Sequence, residues 1–159
     1  MAVTETIKRA NVPGFLMSVE LPFAPVDTLI RREAGDLRVS ADAARELARR
    51  IQDRGATLAI AAAERAEADG RKTLMVEDFG RETRPNPDSL TLPIAPVDRI
   101  ARLDIPDRFR VSADARVALA ATLQDFAADA AAGAQLLAEH AGRRTIQAED
   151  IEMYFRLVE

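Results

Sequence analysis

Side chains that commonly perform catalysis are scarce in this sequence of 159 residues. Cysteine is absent and His140 is the only histidine, so thiolate metal sites, thiol nucleophiles and histidine relays are not expected. Two carboxylate pairs, at 77–78 and 149–150, have the residue types of an acid–base pair, but acidic residues are common at helix starts. The sequence therefore predicts a protein that is not an enzyme, with no metal or organic cofactor and no small-molecule substrate.

The charged residues are numerous, and the basic ones are almost all arginine. There are 22 Lys+Arg against 26 Asp+Glu, which gives a net charge of -4, and only Lys8 and Lys72 are lysines. Tryptophan is absent and aromatics make up 4%, which argues against a stacking platform for single strands. Because no run of about 18 apolar residues occurs, we expect no membrane span and a cytoplasmic protein.

The sequence repeats itself once. Residues 21–27 return 71 positions later as 92–98, residues 38–43 return 72 positions later as 110–115, and residues 70–74 return as 142–146. The change in offset indicates a one-residue insertion near 103–107. Between the two copies, the Pro-rich stretch 84–91 is typical of a short, stiff linker.

Both copies predict the same helices. Each begins with a short helix that ends near Glu33 or Leu103, followed by a loop and then a helix of about 28 residues. Ser40 and Ser112 are suitable N-caps for the long helices, and a glycine after Ala68 or His140 is suited to end them. A final helix is expected to begin near Val76 in the first copy and near Ala148 in the second.

A long helix of this kind needs a second one against which to bury its apolar stripe. A 28-residue helix is about 42 Å long, and the short helices cannot cover it alone. The two copies are therefore expected to form an all-α pseudo-dimer within one chain. The long helices should cross where small residues allow a close approach, namely at Ala59, Ala62, Ala63, Ala130, Ala131 and Ala134.

Four motifs occur in the same order in both copies, and together they resemble archaeal histones. They are Leu-Pro-x-Ala-Pro, Arg-Val-Ser, Gly-Arg-basic-Thr, and the Glu-Asp that opens the last helix. The chain resembles an archaeal histone doublet, with the arginine bias of the haloarchaeal type. The resemblance implies two tandem histone folds joined in an intramolecular handshake.

The resemblance also implies a set of residues that bind double-stranded DNA. Arg38 and Arg110 match the arginine that enters the minor groove, and Thr73 and Thr145 match the threonine that orients it. Phosphate contacts are implied for Lys72, Arg144 and Arg99. The first-unit counterpart of Arg99 is Thr28, so Arg31 and Arg102, one turn further on, are further candidates.

Other matched residues imply structural and assembly roles. Arg71 with Asp78, and Arg143 with Asp150, match a loop-to-helix ion pair. Archaeal histone pairs stack through a leucine and a histidine that faces an aspartate of the neighbour, and Leu137, His140 and Asp150 match this set. The first unit has Arg65 and Ala68 instead, so a homodimer through the second histone fold is expected.

The predicted organisation is an N-terminal extension at 1–19, expected to be disordered, histone fold 1 at 20–83, a linker at 84–91 and histone fold 2 at 92–159. The predicted function is an architectural protein that bends or wraps duplex DNA in a nucleosome-like manner and is associated with the chromosome in the cytoplasm. The alternative is a histone-fold transcription regulator or protein-interaction module with little or no role in DNA packaging. Net negative charge favours that alternative, whereas the Arg–Thr loops favour DNA binding.

Overall fold

The computed structural model describes residues 19–159. The expected extension, up to residue 18, lies outside the described residues. We call residues 20–83 the first unit and residues 92–159 the second. The elements, in chain order, are α1 (Phe23–Glu33), β1 (Arg38–Val39), α2 (Ala41–Ala68), β2 (Thr73–Leu74), 3-10 helices at Val76–Phe79 and Pro87–Ser89, α3 (Ile94–Arg102), β3 (Arg110–Val111), α4 (Ala113–His140), β4 (Thr145–Ile146) and α5 (Ala148–Val158).

The boundaries of the two long helices agree with the sequence prediction. The Ser40 hydroxyl accepts a hydrogen bond from the Ala43 amide at 3.1 Å, and the Ser112 hydroxyl accepts one from Ala115 at 3.0 Å. Each cap satisfies an amide that has no partner within the helix. Gly70 and Gly142, just beyond the two helices, both have a φ of 74°, a conformation that glycine adopts without strain.

The two units interlock. Helix α1 packs against α4 of the other unit, and α3 packs against α2 in the same way, while α5 packs against both long helices. The short strands also pair across the units, β1 with β4 and β2 with β3, both in parallel. Each unit thus completes the core of the other, and neither closes its core alone. The expected intramolecular pseudo-dimer is confirmed.

Small residues allow the helices to approach closely. The alanines that were expected at the helix crossing are all buried, and α2 contacts α4. Two glycines also serve close packing: a Cβ on Gly55 would lie 2.6 Å from Ile100, and one on Gly133 would lie 2.2 Å from the ring of Tyr154. A larger residue at either position would force the helices apart.

The last helix of the first unit begins at Val76, as predicted, but it is much shorter than expected. The chain forms only the four-residue 3-10 helix Val76–Phe79, whereas α5 of the second unit has eleven residues. Gly80 ends it with a φ of 79°, and its amide donates to Glu77 and Val76. Phe79 takes the place of Ile151, but Thr83 takes the place of the buried Phe155, so a longer helix would have little to bury.

The chain between the units lies against the second long helix. Asn86 caps the 3-10 helix Pro87–Ser89, and the Gln124 side chain accepts a hydrogen bond from the Thr91 amide at 2.7 Å. The first unit begins in the same way, with Gln52 accepting from the Glu20 amide at 2.7 Å. Both units thus fasten their N-terminal ends to their own long helix. None of the helices in residues 19–159 is long and apolar enough to cross a bilayer.

Candidate nucleic-acid interface

Parallel strand pairing fixes the backbone of the two loops that precede the long helices. In the first pairing the Arg38 amide donates to the Arg144 carbonyl at 2.8 Å, and Arg38 lies opposite Thr145. In the second, the Arg110 amide donates to the Lys72 carbonyl at 2.8 Å, and Arg110 lies opposite Thr73. We call these the β1–β4 and β2–β3 loop pairs. Each gathers an arginine from one unit with a basic residue and a threonine from the other.

Four basic side chains at these loop pairs are free of partners within the described part of the chain. Arg38, Lys72, Arg110 and Arg144 are all exposed, and within residues 19–159 their side chains make no hydrogen bond or ion pair. Most other arginines of the described residues are ion-paired with carboxylates. Each loop pair therefore carries two positive charges without a carboxylate partner in residues 19–159, although the whole chain carries a net charge of -4.

A buried ion pair holds the first-unit side of the β2–β3 loop pair. Both terminal nitrogens of Arg71 lie 2.8 Å from the Asp78 carboxylate, which also accepts from the Met75 amide at 2.7 Å. Burial by itself would raise the pKa of the Asp78 carboxyl, but the hydrogen bonds from Arg71 and Met75 lower it below its ordinary value. The hydrogen bond to Asp78, with a second one to Asp69, raises the pKa of Arg71.

The second unit repeats this ion pair at the β1–β4 loop pair. Arg143 donates to the two carboxylate oxygens of Asp150 at 2.6 and 2.5 Å, and the Gln147 amide donates to the same carboxylate at 2.8 Å. The hydrogen bond to Asp150 raises the pKa of Arg143. In both units the carboxylate is 2% exposed. The aspartates therefore tie the loop to the following element, which suits a structural role.

The predicted phosphate-binding arginines of the short helices are engaged within the protein. Arg99 donates to Glu20 of the other unit at 2.9 Å. Arg31 and Arg102 make ion pairs four residues back along their helices, with Asp27 and Asp98 respectively. All three side chains are at least partly exposed, but a phosphate would have to compete with a carboxylate at each. These positions are weaker candidates than the four loop residues.

Arg108, which the sequence motifs do not predict as a site residue, lies beside the β2–β3 loop pair. Its guanidinium lies 5.0 Å from the centre of the Phe109 ring and 3.0 Å from Glu67 of the first unit. With Arg71 and Lys72 it lines a small cavity of about 170 Å³. Its position two residues before Arg110 could have identified it as a candidate from the sequence. The first unit has Asp36 there, so the two loop pairs differ in charge.

The two units also end differently. The second-unit end consists of the last turn of α4 together with α5. It carries the predicted contact residues Leu137, half-buried, and His140, exposed. Other large apolar side chains are exposed in the same two helices: Leu136 by 64%, Met153 by 41% and Leu157 by 68%.

The first-unit end consists of the last turn of α2 together with the 3-10 helix. Arg65 and Ala68, the counterparts of Leu137 and His140, are both exposed, and Arg65 donates to the backbone carbonyl of Asp78. The first-unit end is thus short and polar, where the second-unit end is long and apolar.

The described residues contain no group of three or more His, Asp or Glu side chains arranged to hold a metal ion. The family model that matches is that of histone-like transcription factors (CBF/NF-Y) and archaeal histones. It matches twice, over residues 19–80 and 90–153, which is most of the chain. The chain belongs to this family.

Individual relatives agree with the family assignment. A subunit of the archaeal histone HAN1 from Thermococcus zilligii is 45% identical over 62 residues, which are 39% of this chain and 90% of that protein. The crystal structure of the histone from Methanopyrus kandleri superimposes with a TM-score of 0.63 at 26% identity, covering 84% of this chain and 92% of that one. A crystal structure from Thermus thermophilus gives 0.64 at 18% identity, covering 87% and 97%, and shows the fold alone.

The interlocked units are thus two tandem histone folds in one chain, as the sequence predicted. Family membership also supports the DNA-binding, architectural role in general terms.

Proposed function

We propose that the chain bends or wraps double-stranded DNA with little sequence specificity, using the two loop pairs as its main contacts. The observation that carries the proposal is the set of four exposed basic side chains, two at each loop pair, that have no partner among residues 19–159. Arg38 and Arg110 enter the minor groove, and Lys72 and Arg144 contact phosphates. Such contacts read groove shape and charge more than base identity.

The strand pairing supports this assignment of roles. Each arginine is opposite a threonine across the pair, and the threonines are half-buried while the arginines are exposed. Thr145 and Thr73 can therefore limit the directions that Arg38 and Arg110 take, which lowers the entropy lost on insertion into a groove. Arg99, Arg31 and Arg102 add phosphate contacts only where phosphate displaces their carboxylate partners.

Assembly follows from the difference between the two ends. We propose that two chains join through their second-unit ends, with Leu137 and His140 in contact across a two-fold axis and His140 next to the Arg143–Asp150 ion pair of the other chain. The exposed Leu136, Met153 and Leu157 enlarge the apolar area available there. An interface of this kind is self-complementary and closes on itself.

The first-unit end cannot continue the stack. It lacks the last helix, and Arg65 stands where the second unit has a leucine. The assembly therefore stops at two chains with four histone folds, associated with the chromosome in the cytoplasm. The proposed role requires no cofactor, membrane or small-molecule substrate.

A salt titration of binding to mixed-sequence duplex DNA tests the proposal. The log–log slope of affinity against salt should be about -0.9 for each phosphate that the protein neutralises. Arg38→Ala/Arg110→Ala should weaken binding to every duplex and reduce DNA bending, with an unchanged melting temperature, because neither side chain has a partner to lose among residues 19–159.

The matched control is Arg49→Ala/Arg156→Ala, which removes two arginines from α2 and α5 at a distance from the loop pairs. Its affinity should stay close to that of the wild type. Equal losses of DNA affinity in the two double variants would show that the loop pairs are not the DNA interface. No binding even in dilute salt would favour the alternative, a histone-fold protein-interaction module.

A further inference from the structure

Two polar contacts join the units where the chain enters each short helix. Glu20 and Thr91 occupy equivalent positions, 71 residues apart, and the amide of each donates to a glutamine of its own long helix at 2.7 Å. Each side chain also accepts a hydrogen bond from an arginine of the other unit. Arg99 of α3 donates to Glu20 at 2.9 Å, and Arg32 of α1 donates to Thr91 at 2.6 Å. We call these contacts the Glu20 and Thr91 junctions.

The two junctions differ in charge. In the Glu20 junction a carboxylate lies against the guanidinium, so the positive charge of Arg99 is neutralised. In the Thr91 junction the partner is an uncharged hydroxyl, so Arg32 keeps its charge and most of its five N–H donors. Arg32 lies one helical turn beyond Thr28, the repeat counterpart of Arg99. The first short helix thus carries a charged arginine close to the place where the second carries a neutralised one.

No carboxylate among residues 19–159 forms an ion pair with Arg32. Its side chain is exposed, and the Thr91 hydroxyl is its hydrogen-bond partner there. The acidic residues nearest to it in the sequence do not pair with it; they are Asp27, Glu33 and Asp36. Because the Thr91 amide is bonded to Gln124, the hydroxyl is held in place and in turn orients the guanidinium. Arg32 is therefore held in position and, like the arginines of the loop pairs, lacks a carboxylate partner within the described residues.

The junctions lie on the chain path between the two loop pairs. Helix α1 leads through residues 34–37 to the β1–β4 loop pair, and α3 leads through residues 103–109 to the β2–β3 loop pair. Each junction ties one short helix to the start of the other. A duplex that contacts both loop pairs can therefore also reach the short helices.

We propose that Arg32 contacts a DNA phosphate, whereas Arg99 stays bound to Glu20, so that the chain holds a duplex more firmly at α1 than at α3. The inference rests on the proposed DNA binding and adds a direction to it. A phosphate at Arg32 meets a guanidinium and a hydroxyl, both of which can donate hydrogen bonds. A phosphate at Arg99 also meets a carboxylate of like charge, which opposes binding. The two copies of the fold thus make unequal contacts with DNA.

Salt titrations of binding to mixed-sequence duplex DNA test the two junctions separately. Arg32→Ala should reduce the magnitude of the log–log slope by about 0.9, the amount expected when one phosphate contact is lost. Glu20→Thr copies the Thr91 junction and should increase the magnitude by up to about 0.9, because it frees Arg99 to contact a phosphate. Both variants should keep the wild-type melting temperature, since each loses only one contact of an exposed arginine.

The matched controls are Arg156→Ala and Glu152→Thr, which make the same two changes of charge at exposed positions of α5 and should keep the wild-type slope. If Arg32→Ala has the same slope as Arg156→Ala, or Glu20→Thr the same as Glu152→Thr, the inference is overturned. Arg38→Ala/Arg110→Ala, measured alongside, separates this failure from a failure of the proposed function. Weakened binding of that double variant leaves the proposed function standing, whereas unchanged binding rejects it together with the inference.

Discussion

The two ends of the molecule begin with the same ion pair and then diverge. At both ends an arginine from the loop binds an aspartate that is 2% exposed and that also accepts a backbone amide three residues earlier. Beyond the aspartate, the first unit turns back after Phe79, whereas the second continues as α5 to Val158. The ion pair therefore secures the loop in each unit but does not determine how long the following helix is.

The two ends thus share the ion pair that stabilises each loop and differ in the surface that the proposed assembly uses. Helix α5 of the second unit adds apolar surface. Part of this surface is buried against both long helices, and part is exposed at Met153 and Leu157. The first-unit end keeps the structural ion pair and offers Arg65 in place of a leucine. Under the proposed assembly, a duplicated fold would keep one end for association and close the other without altering the core.

The largest expected effect is the loss of association when the second-unit end is made like the first. Leu137→Arg copies Arg65 and places an unpaired charge in the proposed contact between chains. Burial of such a charge costs several kcal/mol, so dimerisation should weaken about 100-fold or more. Sedimentation or mass photometry measures it.

The matched control is Ala68→Arg, which adds the same charge to an exposed position of the first-unit end. It should leave dimerisation as in the wild type. If Leu137→Arg dimerises as well as Ala68→Arg, the second-unit end is not the contact.

The next largest effect concerns the ion pairs. Asp78→Asn and Asp150→Asn each weaken charge-assisted hydrogen bonds to an arginine, which should lower the free energy of unfolding by about 2–3 kcal/mol. Urea denaturation, monitored by circular dichroism, measures the loss. Only Asp150→Asn should also weaken dimerisation, because Asp150 anchors α5, which carries the exposed Met153 and Leu157 of the proposed contact. If both variants weaken dimerisation equally, the second-unit end is not the specific contact between chains.

A smaller effect is expected in the pH dependence of stability. The pKa of Asp78 is lower in the folded protein than its unperturbed value of 3.8, so the unfolded chain binds the proton more readily. The contribution of Asp78 is therefore complete above that value and is lost as the pH falls through the lower, folded pKa. Asp78→Asn should make the free energy of unfolding less dependent on pH below about pH 4–5. An unchanged slope in acid would show that the pairing with Arg71 contributes little.

The smallest effect is expected when the first-unit end is given the side chains of the second. Arg65→Leu/Ala68→His restores the leucine and histidine but cannot restore the missing helix. The variant should still stop at two chains, both free and on DNA. Filaments in electron micrographs of this variant, but not of the wild type, would show that two side chains alone close the first-unit end.

The sequence by itself predicted the helical framework well. The bounds of α2 and α4 followed from Ser40, Ser112 and the glycines after each helix, because caps are local chemistry. The handshake followed from the length of the long helices and the internal repeat. The prediction failed for the length of the helix that begins at Val76, because the repeated Glu-Asp suggested a full helix in both units. The helix stops at Gly80 because helix length depends on the apolar contacts that later residues make, and the first unit has none to continue it.

Only the tertiary structure decided that Arg99 is paired with a carboxylate and that the loop arginines are not. In the sequence Arg99, Arg31 and Arg102 look equivalent to Arg38 and Arg110, since every arginine carries the same charge. Folding brings Glu20, from the other unit, to 2.9 Å from Arg99, and aligns Asp27 and Asp98 one helical turn before Arg31 and Arg102. It leaves the loop arginines exposed and without partners among residues 19–159. Charge is a property of the residue, but whether a carboxylate lies close enough to neutralise it depends on helical spacing for Arg31 and Arg102 and on the packing of distant segments for Arg99.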